Sequence, residues 1–507
     1  MFKALPFFIT ICLVAQTSFA QQEAVITNTQ ISPVAFKINQ VLQSNMVIQQ
    51  NKPFKVWGQA VSGEAVTVKA DWLLQPVTVI AGADNKFMAI INVPEAKKGD
   101  YTAHTLTAES HHQKIMLTDL LIGDTWFLSG QSNMQFAMRE VKDAATEIAA
   151  ANQPNIRILN VGFNWNTKPI DTLKGDWQKV SPQTVKDFSA VGYYFGKELQ
   201  SKLDIPIGLI YSGIGGSWEQ AYVAQDVMAA DTMLNRVYLK PFFDSPKSKE
   251  KLDGVFSFDR VYQPFLIHNA MINPFYNLSI KGICWYQGES NRAERESYLR
   301  LSYAQIKSWR KAFAQGDLPF YYVQVAPHAY EKFDSTLNDY AFFREVQEKI
   351  SAMNNTAMAV TMDVGDAKNI HPTNKKPVGD RLARIALNRT YGMLDINYEG
   401  PHVDYVAFKK KKAIVNFTPA SVKTGLRTTD GAEPKFFMIA GADQVFWPAE
   451  AKIINNTIEL STKQVKKPVA VRYAFTNYPV TNLENEDGLP VVPFRTDNWA
   501  EPVVAKK

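Results

Sequence analysis

The sequence predicts a mixed α/β protein, with a central, mostly parallel sheet wrapped by helices and a β-rich segment on either side. The first observation behind this lies between Thr118 and about Asn397, where the apolar strings "IPIGLIYSG", "IKGICWYQG", "LPFYYVQVAP" and "TAMAVTMDVGD" alternate with helical stretches such as "SYLRLSYAQIKSWRKAFAQ". Strands that are apolar throughout need cover on both faces, and a parallel sheet between helices supplies it. The second is a change of texture on both flanks, to short alternating strings broken by Gly, Asn, Asp and Pro. The third is length, since 507 residues exceed one ordinary core.

In chain order, "MFKALPFFITICLVAQTSFAQQ" carries one lysine, an apolar core and a small-x-small ending. It reads as a signal peptide over residues 1–20, cleaved after Ala20, which predicts an exported protein, periplasmic or secreted. The apolar run is short for a bilayer span and has no successor, so stable membrane insertion is not expected. Cys12 falls inside the signal, leaving Cys284 alone and no disulfide framework. From 24 to 117, "FKVWGQAV", "EAVTVKA" and "KFMAIINV" predict a β-sandwich. Residues 118–397 hold the parallel sheet, and from 398 to 507 "AIVNFT", "KFFMIAG" and "VAVRYAF" predict a second β-rich domain. A formal net charge of +6 with no like-charge run longer than "KKKK" gives no reason to expect a nucleic-acid partner. Oligomeric state is not legible.

Open parallel sheets build sites beyond the carboxyl ends of their strands, and four polar clusters sit there. The first is "LSGQSNMQFAMRE", where Ser132 stands between Gln131 and Asn133. "MQFAMREVKDAATEIAA" has the spacing of an amphipathic helix, so Ser132 is expected at a strand-to-helix turn. There it either caps the helix or presents a nucleophile above the sheet. In "GIGGSWEQAYV", Gly215 and Gly216 serve a turn or bring a backbone N–H to a substrate. In "QGESN", Gln287 either satisfies loop backbone or aims its amide at an oxyanion. In "DAKNIHPTNKKPVGDRLA", His371 is the best base, unless it merely precedes a helix entered at Pro372. Glu289 with Asp363 or Asp366 would make a glycosidase pair, but that leaves Ser132, the glycines and His371 without a task. Glu289 is therefore expected to stiffen the "GQSNM" turn. No histidine pair has the spacing of metal ligands, so no metal is expected.

Together the four blocks resemble the sialate O-acetylesterase family of the SGNH hydrolases: "GQSNM", "GGSWEQAY", "WYQGESN" and the histidine block occur in its order. "SNMVIQQNKPFKVWGQA" and "GLPVVPFRTDNW" extend the resemblance to both flanks. It implies an SGNH-type three-layer α/β/α hydrolase domain between amino- and carboxy-terminal β-rich domains, no cofactor, and removal of O-acetyl groups from a sugar, sialic acid first. It gives Ser132 the nucleophile role and His371 the base. The Ser132 N–H, Gly215 or Gly216, and Gln287 then line the oxyanion hole, with Gln131, Asn133 and Glu289 behind them. The family pattern places a triad acid three residues before the histidine, where this chain has Lys368. Asp366 is the candidate, Asp363 the reserve, and a Ser132–His371 dyad the alternative. Competing functions are an acetylxylan or other plant-polysaccharide esterase, and an inactive carbohydrate-binding protein.

Overall fold

A computed structural model describes Met1 and residues 34–111, 113–252, 256–330 and 338–501. The expected signal peptide lies outside the described residues. Among those described, no helix is long and apolar enough to cross a membrane.

The amino-terminal segment is built mainly from antiparallel strands, with Val47–Gln49 parallel to the long strand Gln113–Gly130. Lys86–Asn92 buries Phe87, Ala89 and Ile91 and exposes the residues between them, as a strand with one solvated face must. It pairs with Pro53–Gln59, while Ala65–Ala70, Val77–Ile80 and His104–Ser110 form the neighbouring ladder. The strand Gln113–Gly130 first pairs antiparallel with His104–Ser110 and then runs on into the parallel sheet. The border expected at 117/118 thus falls inside one continuous strand.

Across the parallel sheet the order is Trp177–Lys179, Ile156–Asn160, Ile207–Gly213, Gln113–Gly130, Gly282–Tyr286, Phe320–Val323 and Thr356–Ala359. All neighbours are parallel except the Trp177–Lys179 edge. Alternation along the central strand divides the core. Trp126 and Leu128 pack with Val191, Phe195 and Leu382 from the helices Ala190–Leu203 and Lys376–Arg389. Phe127 packs with Trp309, Phe313 and Phe343 from Glu296–Phe313 and Asp339–Ile350. The carboxy-terminal region is β-rich, and its core closes over Val360 and Met362, just past the last parallel strand.

One expected element is absent. The helix after Ser132 is a single turn, Ser132–Gln135, followed by a 3-10 turn Met138–Glu140 and a short helix Ala144–Ala149. Phe136 leaves the helical region at φ −44°, ψ 117°, and Ala137 pairs with Ser189 as an isolated antiparallel bridge. The apolar spacing is real, but tertiary pairing diverts the backbone.

Candidate active site

The turn that carries Ser132 is possible because glycine ends the strand before it. Gly130 has φ +135°, and a side chain there would meet the Tyr286 carbonyl of the next strand at 2.2 Å. The turn is fixed from beneath by hydroxyls. Tyr222 OH donates to the Gly130 carbonyl at 2.7 Å and accepts from Ile214 N at 3.0 Å. Ser189 Oγ donates to the Met134 carbonyl at 2.6 Å.

Above this turn, Ser132 Oγ lies 2.8 Å from His371 Nε2. The two residues are 239 positions apart in sequence. Both line an open cleft of two lobes that meet at Ser132, Gln135, Phe163 and His371. One lobe, about 530 Å³, is walled by Trp218, Phe256, Phe258 and Tyr262 and carries Arg292. The other, about 670 Å³, is more polar, with Asn160, Arg139, Asp187 and Glu140.

The remaining residues singled out by sequence divide into those at the cleft and those beneath it. Gly215 and Gly216 stand beside Ser132, where a Cβ on Gly215 would lie 3.4 Å from that of Ser132. The Gly215 N–H already donates to Gln135 Oε1 at 2.7 Å. The N–H groups of Ser132 and Gly216 have no partner among the described residues. Gln131 accepts from Gly288 N and Ser290 N at 3.3 and 3.4 Å, bracing the next loop. Gln287 is fully buried and does not line either lobe, its amide donating to Asn291 Oδ1 at 2.7 Å and accepting from Tyr298 OH at 3.2 Å. The reading of His371 as a helix-entry residue also finds no counterpart, since the helix starts at Lys376 and places Pro377, not Pro372, in its first turn.

Neither candidate acid is brought to His371. Asp366 Oδ1 accepts from the N–H groups of Lys368 and Asn369 at 2.8 and 3.0 Å, turning the loop back on itself. Asp363 makes a two-pronged pair with Arg381, each bond 2.7 Å. Among the described residues no carboxylate hydrogen-bonds His371. Its loop is held instead by Asn369 Oδ1, which accepts from His371 N at 2.9 Å, and by Asn133 Nδ2, which donates to the Ile370 carbonyl at 3.1 Å. Asn133 also donates to Glu289 Oε1 at 2.5 Å and accepts from Lys375 Nζ. Burial lowers the His371 pKa, and the nearby Lys375 charge lowers it further. Burial raises Glu289 and lowers Lys375 to about 7.

A hydroxyl within hydrogen-bond reach of an imidazole in an open cleft is an arrangement that nucleophilic catalysis can use. Residues 123–388 match the family model described as carbohydrate esterase, sialic acid-specific acetylesterase. The chain belongs to that family. This carbohydrate esterase is a hydrolase acting on esters. It is 29% identical over 434 residues to the sialate O-acetylesterase of Rattus norvegicus, covering 76% of this chain and 79% of the relative. The Mus musculus sialate O-acetylesterase is 26% identical over 496 residues, covering 88% and 90%. A carbohydrate acetylesterase from Xanthomonas citri has a similar structure, with TM-score 0.81 and 32% identity over 91% of this chain and 100% of that one.

Three features in and behind the cleft are not among the residues expected from the sequence. Gln135 lies three residues after Ser132 and so on the same face of a turn, a spacing that was available. Lys375 stands among lysines that look solvated, and nothing local separates it from Lys376. The aromatic wall comes from two segments, Trp218 and the 256–262 stretch, which nothing in the sequence joins.

Proposed function

We propose that the protein removes O-acetyl groups from an acidic sugar through an acetyl-enzyme on Ser132, within a three-layer α/β/α hydrolase core. The observation that carries this is the 2.8 Å approach of Ser132 Oγ to His371 Nε2 in an open cleft. Ser132 Oγ attacks the acetyl carbon as His371 Nε2 takes its proton, and the charge on the carbonyl oxygen is met by the unpartnered N–H groups of Ser132 and Gly216. Collapse breaks the ester bond, and the leaving sugar oxygen takes the proton from His371. Water, deprotonated by His371, then attacks the acetyl-serine carbon; collapse breaks the bond to Ser132 Oγ, which takes the proton back from His371 as acetate is released. With Asp366 and Asp363 engaged elsewhere, Ser132 and His371 act as a dyad, and burial favours the neutral imidazole that accepts the proton.

Arg292 favours an acidic sugar over neutral xylan. Its guanidinium stacks on Tyr330 at 4.1 Å beside the aromatic wall, and it has no carboxylate partner among the described residues. Arg139 in the other lobe is already paired with Asp187. A sugar ring resting on the aromatic wall would leave its own carboxylate for Arg292. Acetate release from O-acetylated sialosides, acetylxylan and an aryl acetate tests the reading. Arg292→Ala should raise the sialoside KM by roughly tenfold to a hundredfold, the scale of one lost charged hydrogen bond, and leave the aryl acetate unaffected. Faster turnover of xylan, unaffected by Arg292→Ala, would assign the neutral polymer instead. The amino-terminal segment supports export, and mature protein beginning at Gln21 by mass spectrometry would establish it.

A further inference from the structure

Behind the nucleophile turn lies a buried charge that the esterase chemistry above does not use. Lys375 is only 2% exposed, with Glu289 at 4% and Asn133 at 1%. An ammonium and a carboxylate taken out of water are costly unless each meets a partner, so their retention here calls for a task. Asn133 joins them, since its oxygen accepts from Lys375 Nζ and its amide donates to Glu289 Oε1 and to the Ile370 carbonyl. The ammonium also sits over the Phe136 ring at 4.7 Å and the Tyr286 ring at 5.8 Å. Three separate pieces of the site therefore meet at one point: the turn of Ser132, the loop of Glu289, and the segment from Ile370 to Lys375 that carries His371.

We infer that Lys375 is a positioning residue of the esterase site, whose buried ammonium, held by Asn133 and balanced by Glu289, locks the His371 loop onto the nucleophile turn and opposes protonation of the imidazole. The groups facing these residues agree in sign. His371 is pushed toward its neutral form by burial first, then by Lys375, with His328 acting the same way and Glu140 against. Lys375 faces Glu289 and Glu140, both of which favour its charge. Glu289 has Lys375 as its facing cation and the phenols of Tyr286, Tyr298, Tyr330 and Tyr340 around it. Burial lowers Lys375 to about 7 against the pull of Glu289 and Glu140, and lowers His371 in the same direction. Many hydrolases orient their base with a carboxylate. Here the nearest buried charge on the His371 loop is positive, so it favours the free base over the imidazolium.

The inference rests on His371 acting as the base, and the experiment separates the two. The kcat/KM of the full-length enzyme on an aryl acetate is measured against pH for wild type, Lys375→Arg, Lys375→Met and Lys375→Met/Glu289→Gln, the last retaining a neutral interior should the single methionine variant fail to fold. In parallel the His371 imidazole is titrated by NMR in a Ser132→Ala background. Loss of the cation should move the acid limb and the NMR titration to higher pH by about half a unit or more, the direction expected when a like charge is removed. Turnover on the plateau should fall by roughly a hundredfold as the base loses its alignment. Lys375→Arg should lose turnover but keep the wild-type limb. A methionine variant that folds with the limb and the NMR titration where wild type has them overturns the inference alone. A wild-type profile with no acid limb matching the His371 titration overturns the base assignment beneath it.

Discussion

The four residues of the Ser132 turn have two faces of opposite physical character. Ser132 and Gln135 look into the cleft, while Asn133 and Met134 are buried behind it. The front face carries a hydroxyl, an imidazole and backbone N–H groups, none with a formal charge at rest, all reachable by a substrate. The rear carries a carboxylate and an ammonium away from water, joined through one amide. One turn thus keeps reactivity and rigidity on opposite sides. A reacting group must be free to exchange partners, whereas a buried charged group that loses its partner destabilises the fold.

Substitutions on the two faces should therefore fail differently. The largest expected effect is at the front: Ser132→Ala should lower acetate release by on the order of a millionfold while the melting temperature barely moves, since the hydroxyl contributes little packing. Activity retained by the purified variant would remove Ser132 from the reaction. On the rear, Asn133→Ala should cost about 2 to 4 kcal/mol of stability, because Lys375 and Glu289 each lose a buried partner. Turnover should drop with it. An unchanged melting temperature would mean that the rear pair does not depend on Asn133, and the contrast between faces would collapse. Asp366→Asn should give the smallest effect, about tenfold or less in turnover, because an amide oxygen can still accept from Lys368 and Asn369 and hold the loop. A fall of several orders of magnitude would instead make Asp366 the acid of a triad.

The α/β architecture is legible in the chain alone, because long apolar strings between amphipathic segments have few other ways to bury both faces of a sheet. The chain also places the four polar blocks at the ends of those strings. The carboxyl ends of parallel strands converge, so Ser132, Gly215, Glu289 and His371 were legible as one neighbourhood from order alone. What each polar atom does was left to the tertiary structure. Gln287 and Asp366 look like site residues in the chain, yet Asn291 and Tyr298 take the amide of the first, and the loop's own N–H groups take the carboxylate of the second. The helix foreseen after Ser132 stops at Gln135 because Ala137 pairs with Ser189, a partner some fifty residues away. Lys375 and Lys376 are neighbours in sequence, but the fold buries the first against Asn133 and leaves the second paired with Asp380 at the surface. Apolar burial follows from one-dimensional pattern, whereas which polar groups are buried, and with what partners, depends on which donors and acceptors the finished fold brings within about 3 Å.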